Sequence, residues 1–184
     1  SEYQSEIPYN RHDLPETPTS PYISDTEEIE WDTTGLLSVA TQQFCAFVGY
    51  PDKFVNKQIG AIKIIKGSDF SGLMLLALDS SAIKESDRMI LSISTEQRND
   101  EQVVANKTLV DYGHAPRIIR ATSVTFELDI ESDSVRIFQL NTKNEAFGPY
   151  KIIRRNEEGK IIVTIDTHEY TSLWFGVETG WDKN

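Results

Sequence analysis

Apolar and polar residues alternate along this chain with a period of two, and clusters of Asp, Asn, Gly and Ser repeatedly interrupt the alternation. Half-buried antiparallel strands joined by tight turns produce that pattern. It is clearest in residues 25–50. There, 28–31 read as a first strand, Asp32-Thr33-Thr34-Gly35 as a turn, 36–41 as a second strand and 44–50 as a third. The third strand sorts its side chains by face, with Phe44, Ala46 and Val48 on one side and Cys45, Phe47 and Gly49 on the other. Further strands are predicted at 59–65, 73–78, 88–94, 108–112, 116–120, 123–130, 135–140, 150–154, 160–166 and 173–178. The continuous apolar run 73–78 is expected to be a fully buried central strand. Residues 79–87 suit a short helical turn capped by Ser80 or Ser81, and 96–106 read as a polar loop. The pattern predicts an all-β fold, an antiparallel β-sandwich (jelly-roll-like) of roughly ten to twelve short strands. A closed barrel is the alternative, because periodicity does not count edges.

Residues 1–24 break the alternation. Pro8, Pro15, Pro18 and Pro21, interleaved with Thr and Ser, predict an extended linker or a packed arm, and Tyr3, Tyr9 and Tyr22 favour packing. The chain therefore divides into a Pro/Thr-rich arm at 1–24, a sandwich domain at 25–180 and a short tail at 181–184. The opening residues have neither the basic nor the apolar region of a signal peptide, and the first residue is not Met. Both features fit a piece of a longer polypeptide.

Charge narrows the partners. The 184 residues include 29 acidic and 18 basic side chains, for a formal net charge of −11. Nucleic acid or an acidic membrane surface requires a basic patch, so neither is expected as a partner. The apolar runs are also shorter than the roughly 20 residues of a spanning helix. Cys45 is the only cysteine, which excludes an internal disulfide and leaves a small buried strand residue as its reading.

Catalytic motifs are missing. There is no Gly-rich phosphate loop, no GxSxG, no HExxH and no paired-cysteine motif. His12, His114 and His168 lie far apart, and Asp166-Thr167-His168-Glu169 reads as a strand end and turn. Opposed carboxylates can cleave a glycosidic bond, but no spacing singles out a pair among Glu27-Glu28, 129–133 and Glu157-Glu158. Loop oxygens leave room for a structural calcium ion, although the Asp-x-Asp-x-Asp-Gly spacing is absent. No catalytic residue and no cofactor is expected.

Loop aromatics are more informative. Neutral sugars stack their apolar faces on Trp or Tyr rings while amides and hydroxyls bond the sugar hydroxyls. Tyr50 and Phe54 bracket the Pro51-Asp52-Lys53 turn, and Tyr112 and His114 flank Gly113. Tyr150 follows Gly148-Pro149, and Trp181 follows Gly180. These six residues are the candidate ligand-binding set. Trp174, inside Leu173-Trp174-Phe175, reads as core.

Several segments resemble a known group. SDTEEIEWD–TTGLLSVATQQFCAFVGY is similar to the opening "SDTGEIxWD…GxxTVDTPRTQxxVGF" of a β-sandwich domain that follows the catalytic barrel in many bacterial glycoside hydrolases. The matching positions are Ser24, Asp25, Thr26, Glu28, Ile29, Trp31, Asp32, Gly35, Val39, Thr41, Gln43, Val48 and Gly49. Later segments follow in the same order. LALDSSAIKESDRMILSIST resembles "LDGKPIxESxRxLLT", and VDYGHAPRIIRATSVTFEL resembles "xxWGxAPxxxExVxGxVxL" with Tyr112 in the Trp position. FQLNTKNEAFGPYKI resembles "YxLDxxGxRVG", and SLWFGVE resembles "TLWYEI". Glu27 replaces a glycine, and VATQQF replaces "DTPRTQ" without its Pro and Arg.

The resemblance implies a non-catalytic accessory module. Its expected partners are a polysaccharide or oligosaccharide and an upstream catalytic domain, reached through residues 1–24, and its expected location is extracellular or cell-surface as part of a larger enzyme. The alternative it implies is a purely structural sandwich packed against the catalytic barrel. Trp31, as part of a recurring structural opening, is expected in the core.

Overall fold

The computed structural model describes residues 19–181. The chain begins with an antiparallel meander of β1 (Tyr22–Ile23), β2 (Ile29–Asp32), β3 (Leu36–Ala40) and β4 (Phe44–Gly49). It crosses to a second sheet for the hairpin of β5 (Gln58–Ile59) and β6 (Ile62–Gly67), then returns for β7 (Ser71–Ala77) and β8 (Arg88–Thr95). A long two-stranded excursion follows, made of β9 (Gln97–Asp100), β10 (Val103–Ala105), β11 (Thr108–Asp111) and β12 (His114–Ile119). β13 (Ser123–Leu128) and β16 (Ile161–Asp166) belong to the second sheet, while β14 (Ser134–Leu140), β15 (Ala146–Arg154) and β17 (Trp174–Glu178) belong to the first. The nine-stranded sheet runs β1-β2-β3-β4-β7-β8-β17-β14-β15, and the four-stranded sheet runs β16-β13-β6-β5. The protein is an all-β antiparallel sandwich.

One core lies between the sheets. Alternate residues of β4, β7, β8, β14 and β17 (Cys45, Leu75, Leu91, Val135 and Phe175 among them) meet Ile62, Ile64, Phe126 and Val163 from the smaller sheet. Burial pushes the Cys45 thiol up to about 12, against weaker opposing hydrogen bonds from the backbone of Ala61 and Ile62. The thiol therefore stays protonated and shielded at neutral pH. Native protein is expected to resist iodoacetamide at pH 8.5 and to react fully once unfolded in denaturant, as read by intact mass. Rapid labelling of the native chain would contradict that burial.

Among the described residues the strands number seventeen rather than ten to twelve, because the pattern missed short pieces. Residues 59–65 form two strands joined at Gly60, whose φ of +55° makes the tight turn. Residues 96–106 are ribbon rather than loop. Asn106 and Lys107 both hold positive φ, 49° and 63°, the conformation of a type I′ hairpin turn, and they join β10 to β11. In the 79–87 segment only Ile83–Glu85 is helical, as a 3-10 turn without a side-chain cap. Asp79 organises this loop instead, accepting bonds from the Ser86 hydroxyl and the backbone N–H groups of Ser81 and Asp87. Its burial raises the carboxyl pKa, but those bonds outweigh it and hold the group below its ordinary value.

Two aromatic expectations are corrected. Trp31 and Trp174 were expected in the core, yet they are 54% and 48% exposed. Both lie on the outer face of the nine-stranded sheet, which no other layer covers among the described residues. The same geometry splits the 73–78 run: Leu73 and Leu75 are buried, Met74 and Leu76 are half-buried, and Leu78 is exposed. The arm at 1–18 and the tail at 182–184 lie outside the described residues, whereas Tyr22 and Ile23 pair with Trp31 and Glu30.

Candidate functional site

Strand register sets out the outer face of the large sheet in rows. Ala46, Met74, Ser92 and Trp174 lie side by side across β4, β7, β8 and β17. The next row runs Phe44, Leu76, Ile90, Gly176 and Phe138. The row beyond it runs Arg88, Glu178, Arg136 and Ile152. Directly opposed residues on neighbouring strands share a face, so these rows form one surface.

Trp174 forms one side of a cleft of about 580 Å³. Ile90, Leu140 and Phe147 give it an apolar floor, and Asn141, Thr142, Asn144, Thr171 and Ser172 give it a polar rim. The rim is built by the turn between β14 and β15. The Asn141 carboxamide oxygen accepts from the backbone N–H groups of Lys143 and Glu145, and Asn144 sits at a φ of +62°. From beneath, Gln139 fixes the other wall by accepting from the backbone N–H groups of Thr171 and Ser172. The Ser172 hydroxyl accepts from the Trp174 N–H and donates to the Leu140 carbonyl, which ties the start of β17 to β14. The cleft thus combines an exposed indole with fixed amides and hydroxyls, and no charged residue lines it among the described residues.

At the other end of β17 the Arg136 guanidinium lies 5.9 Å from the Phe138 ring centroid, 5.6 Å from that of Tyr150 and 5.7 Å from that of Trp181. It also pairs with Glu178, its Nε donating to Oε2 at 3.2 Å. Arg136 thereby draws together two residues of the sequence-derived set, Tyr150 and Trp181, and adds Phe138. These three rings and Arg136 share the outer face with Trp174.

The other four candidates lie elsewhere. Tyr50 packs edge-on against Phe70 at 5.5 Å with Lys53 over its ring, at the turn after β4. Phe54 is half-buried against the core. Tyr112 and His114 lie on the excursion; Tyr112 is 74% exposed, and His114 Nε2 lies 3.0 Å from Glu101. These residues do not converge on one site. Asp166 and His168 form a turn, in which the His168 N–H donates to the Asp166 carboxylate at 2.9 Å. Among the described residues, no three His, Cys, Asp or Glu side chains come together as a metal site.

Sequence reasoning missed Trp174, Phe138 and Arg136. For Arg136 and Phe138 the signal was present as alternation, because Arg136, Phe138 and Leu140 interleave with the buried Val135, Ile137 and Gln139, whereas Trp174 lies between the apolar Leu173 and Phe175 and carried no such signal. No family model, no curated protein and no solved structure matches the chain.

Proposed function

We propose that this protein is a non-catalytic carbohydrate-binding module of a polysaccharide-degrading enzyme, and that it holds glycan on the outer face of its nine-stranded sheet. The observation that carries this reading is the Trp174 cleft, where a half-exposed indole stands beside uncharged amide and hydroxyl groups. Such a surface stacks the apolar face of a sugar ring and bonds its edge hydroxyls.

The resemblance to accessory sandwiches of glycoside hydrolases gains physical support from its glycine positions. A Cβ at Gly49 would stand 2.0 Å from the Gly35 carbonyl oxygen, and one at Gly113 would stand 2.0 Å from that of Asp100. Glu27 and Asn144, which stand where the group's pattern has glycine, hold φ of 59° and 62°, the left-handed region that glycine favours. Affinity electrophoresis against β-glucans, xylans, mannans and algal polysaccharides tests the reading. Retardation by at least one glycan is expected, and free migration in all of them refutes it.

A second reading, docking onto a neighbouring domain of the parent protein, rests on a separate part of the sheet. Around β1 to β4, Tyr22 stacks on Trp31 at 5.5 Å, and Trp31, Leu37 and Val48 stand exposed beside a shallow apolar groove of about 240 Å³. Contiguous apolar surface of this kind marks interaction sites. The isolated chain is expected to enhance the fluorescence of an apolar dye such as ANS. The double variant Trp31→Lys, Val48→Lys is expected to lose most of that enhancement at an unchanged melting temperature. Dye binding that ignores these substitutions would count against docking there.

A further inference from the structure

We infer that the bound glycan is an extended neutral chain that runs along β17 over Gly176 and fills a second subsite formed by Arg136 and Trp181. The inference rests on the carbohydrate-binding reading above and deepens it. The second cleft, of about 540 Å³, is lined by Asp87, Arg88, Arg136, Glu178, Gly180 and Trp181 among others. It opens at the far end of the strand that starts with Trp174, four residues or roughly 13 Å away by strand rise.

Between the two clefts the surface is apolar. Gly176 has no side chain, and its place is taken by the Phe138 ring, which a Cβ would meet at 2.4 Å. Ile90 flanks Gly176 on the other side. The Phe138 ring and Ile90 therefore form an apolar surface that joins the clefts.

The second cleft offers a ring and a donor, and Trp181 forms part of its wall. Glu178 takes the Nε and Nη2 donors of Arg136, and among the described residues nothing takes Nη1, which can donate to a ligand oxygen.

Charge selects the class of chain. Arg88 and Arg136 flank Glu178 with Asp87 beside them, so cations and anions balance in the second cleft. The first cleft has no charged lining, and the whole chain carries −11. A uronate or sulfated polymer would meet net repulsion, whereas ring stacking and hydroxyl bonding suit a neutral chain.

Calorimetry with oligosaccharides of one to six units, cut from the glycan best retained in electrophoresis, tests this. Affinity is expected to climb with length until both clefts are filled. Trp181→Ala removes the ring that walls the second cleft, and should weaken the hexamer about three- to tenfold while leaving the disaccharide unchanged. Tyr150→Ala, at an exposed edge position, should likewise weaken only the longer chains. A disaccharide that binds as tightly as the hexamer, or variants that ignore length, would overturn the second subsite but leave the Trp174 site standing. Preference for a polyuronate over every neutral glycan would overturn the neutral class, and failure of all glycans to bind would overturn the function itself.

Discussion

Trp174→Ala is expected to weaken glycan binding at least thirtyfold, an effect of about 2 kcal/mol, while leaving the melting temperature nearly unchanged. The residue is 48% exposed, and the cleft loses its only indole when it is truncated. No core contact depends on the ring, because its strand buries the opposite face through Phe175 and Val177. Isothermal calorimetry against the best-retained glycan, paired with a thermal melt, reads both quantities. Unchanged affinity would move the binding face elsewhere. Lost affinity together with a collapsed melting temperature would mean that the ring is structural.

Phe175→Ala, one residue further on, is expected to do the reverse and cost about 3–5 kcal/mol of folding stability. Phe175 is 0% exposed and meets the Tyr170 ring edge-on at 5.1 Å. It stands between β8 and β14, paired with Leu91 and Gln139, so the surrounding strands cannot close the cavity without breaking their ladders. Against the 5–15 kcal/mol of a typical domain, that loss removes about a fifth or more of the total. Urea unfolding monitored by fluorescence measures it. A loss below about 1 kcal/mol would show that the two sheets pack loosely at this layer.

These neighbouring residues show what the chain's pattern contains and what it leaves open. In Leu173-Trp174-Phe175 all three residues are apolar, so alternation gives no sign of which one faces solvent. The pairing of Trp174 with Ser92 and of Phe175 with Leu91 settles it, because Leu91 belongs to the core and Ser92 does not. The third strand was legible for the opposite reason. Cys45, Phe47 and Gly49 are buried and Val48 is exposed, so each face keeps its expected character. The candidate site was legible only in part. Tyr150 and Trp181 were found as loop aromatics, but they come together through Arg136, whose alternation gives its face and not its neighbours. Tyr50, Tyr112 and His114 had equally good local credentials and lie elsewhere.

By itself, the sequence determined an all-β chain with its strands, turns and acidic surface, because period-two alternation and turn residues act over a few neighbouring positions. Tertiary structure alone decided that β17, last in the chain, lies between β8 and β14 in the sheet. It also decided that four strands cover only one face of the nine, which leaves Trp31 and Trp174 outside. Which strands become neighbours depends on contacts between residues far apart in the chain, and those contacts select among alternatives that local periodicity leaves equal.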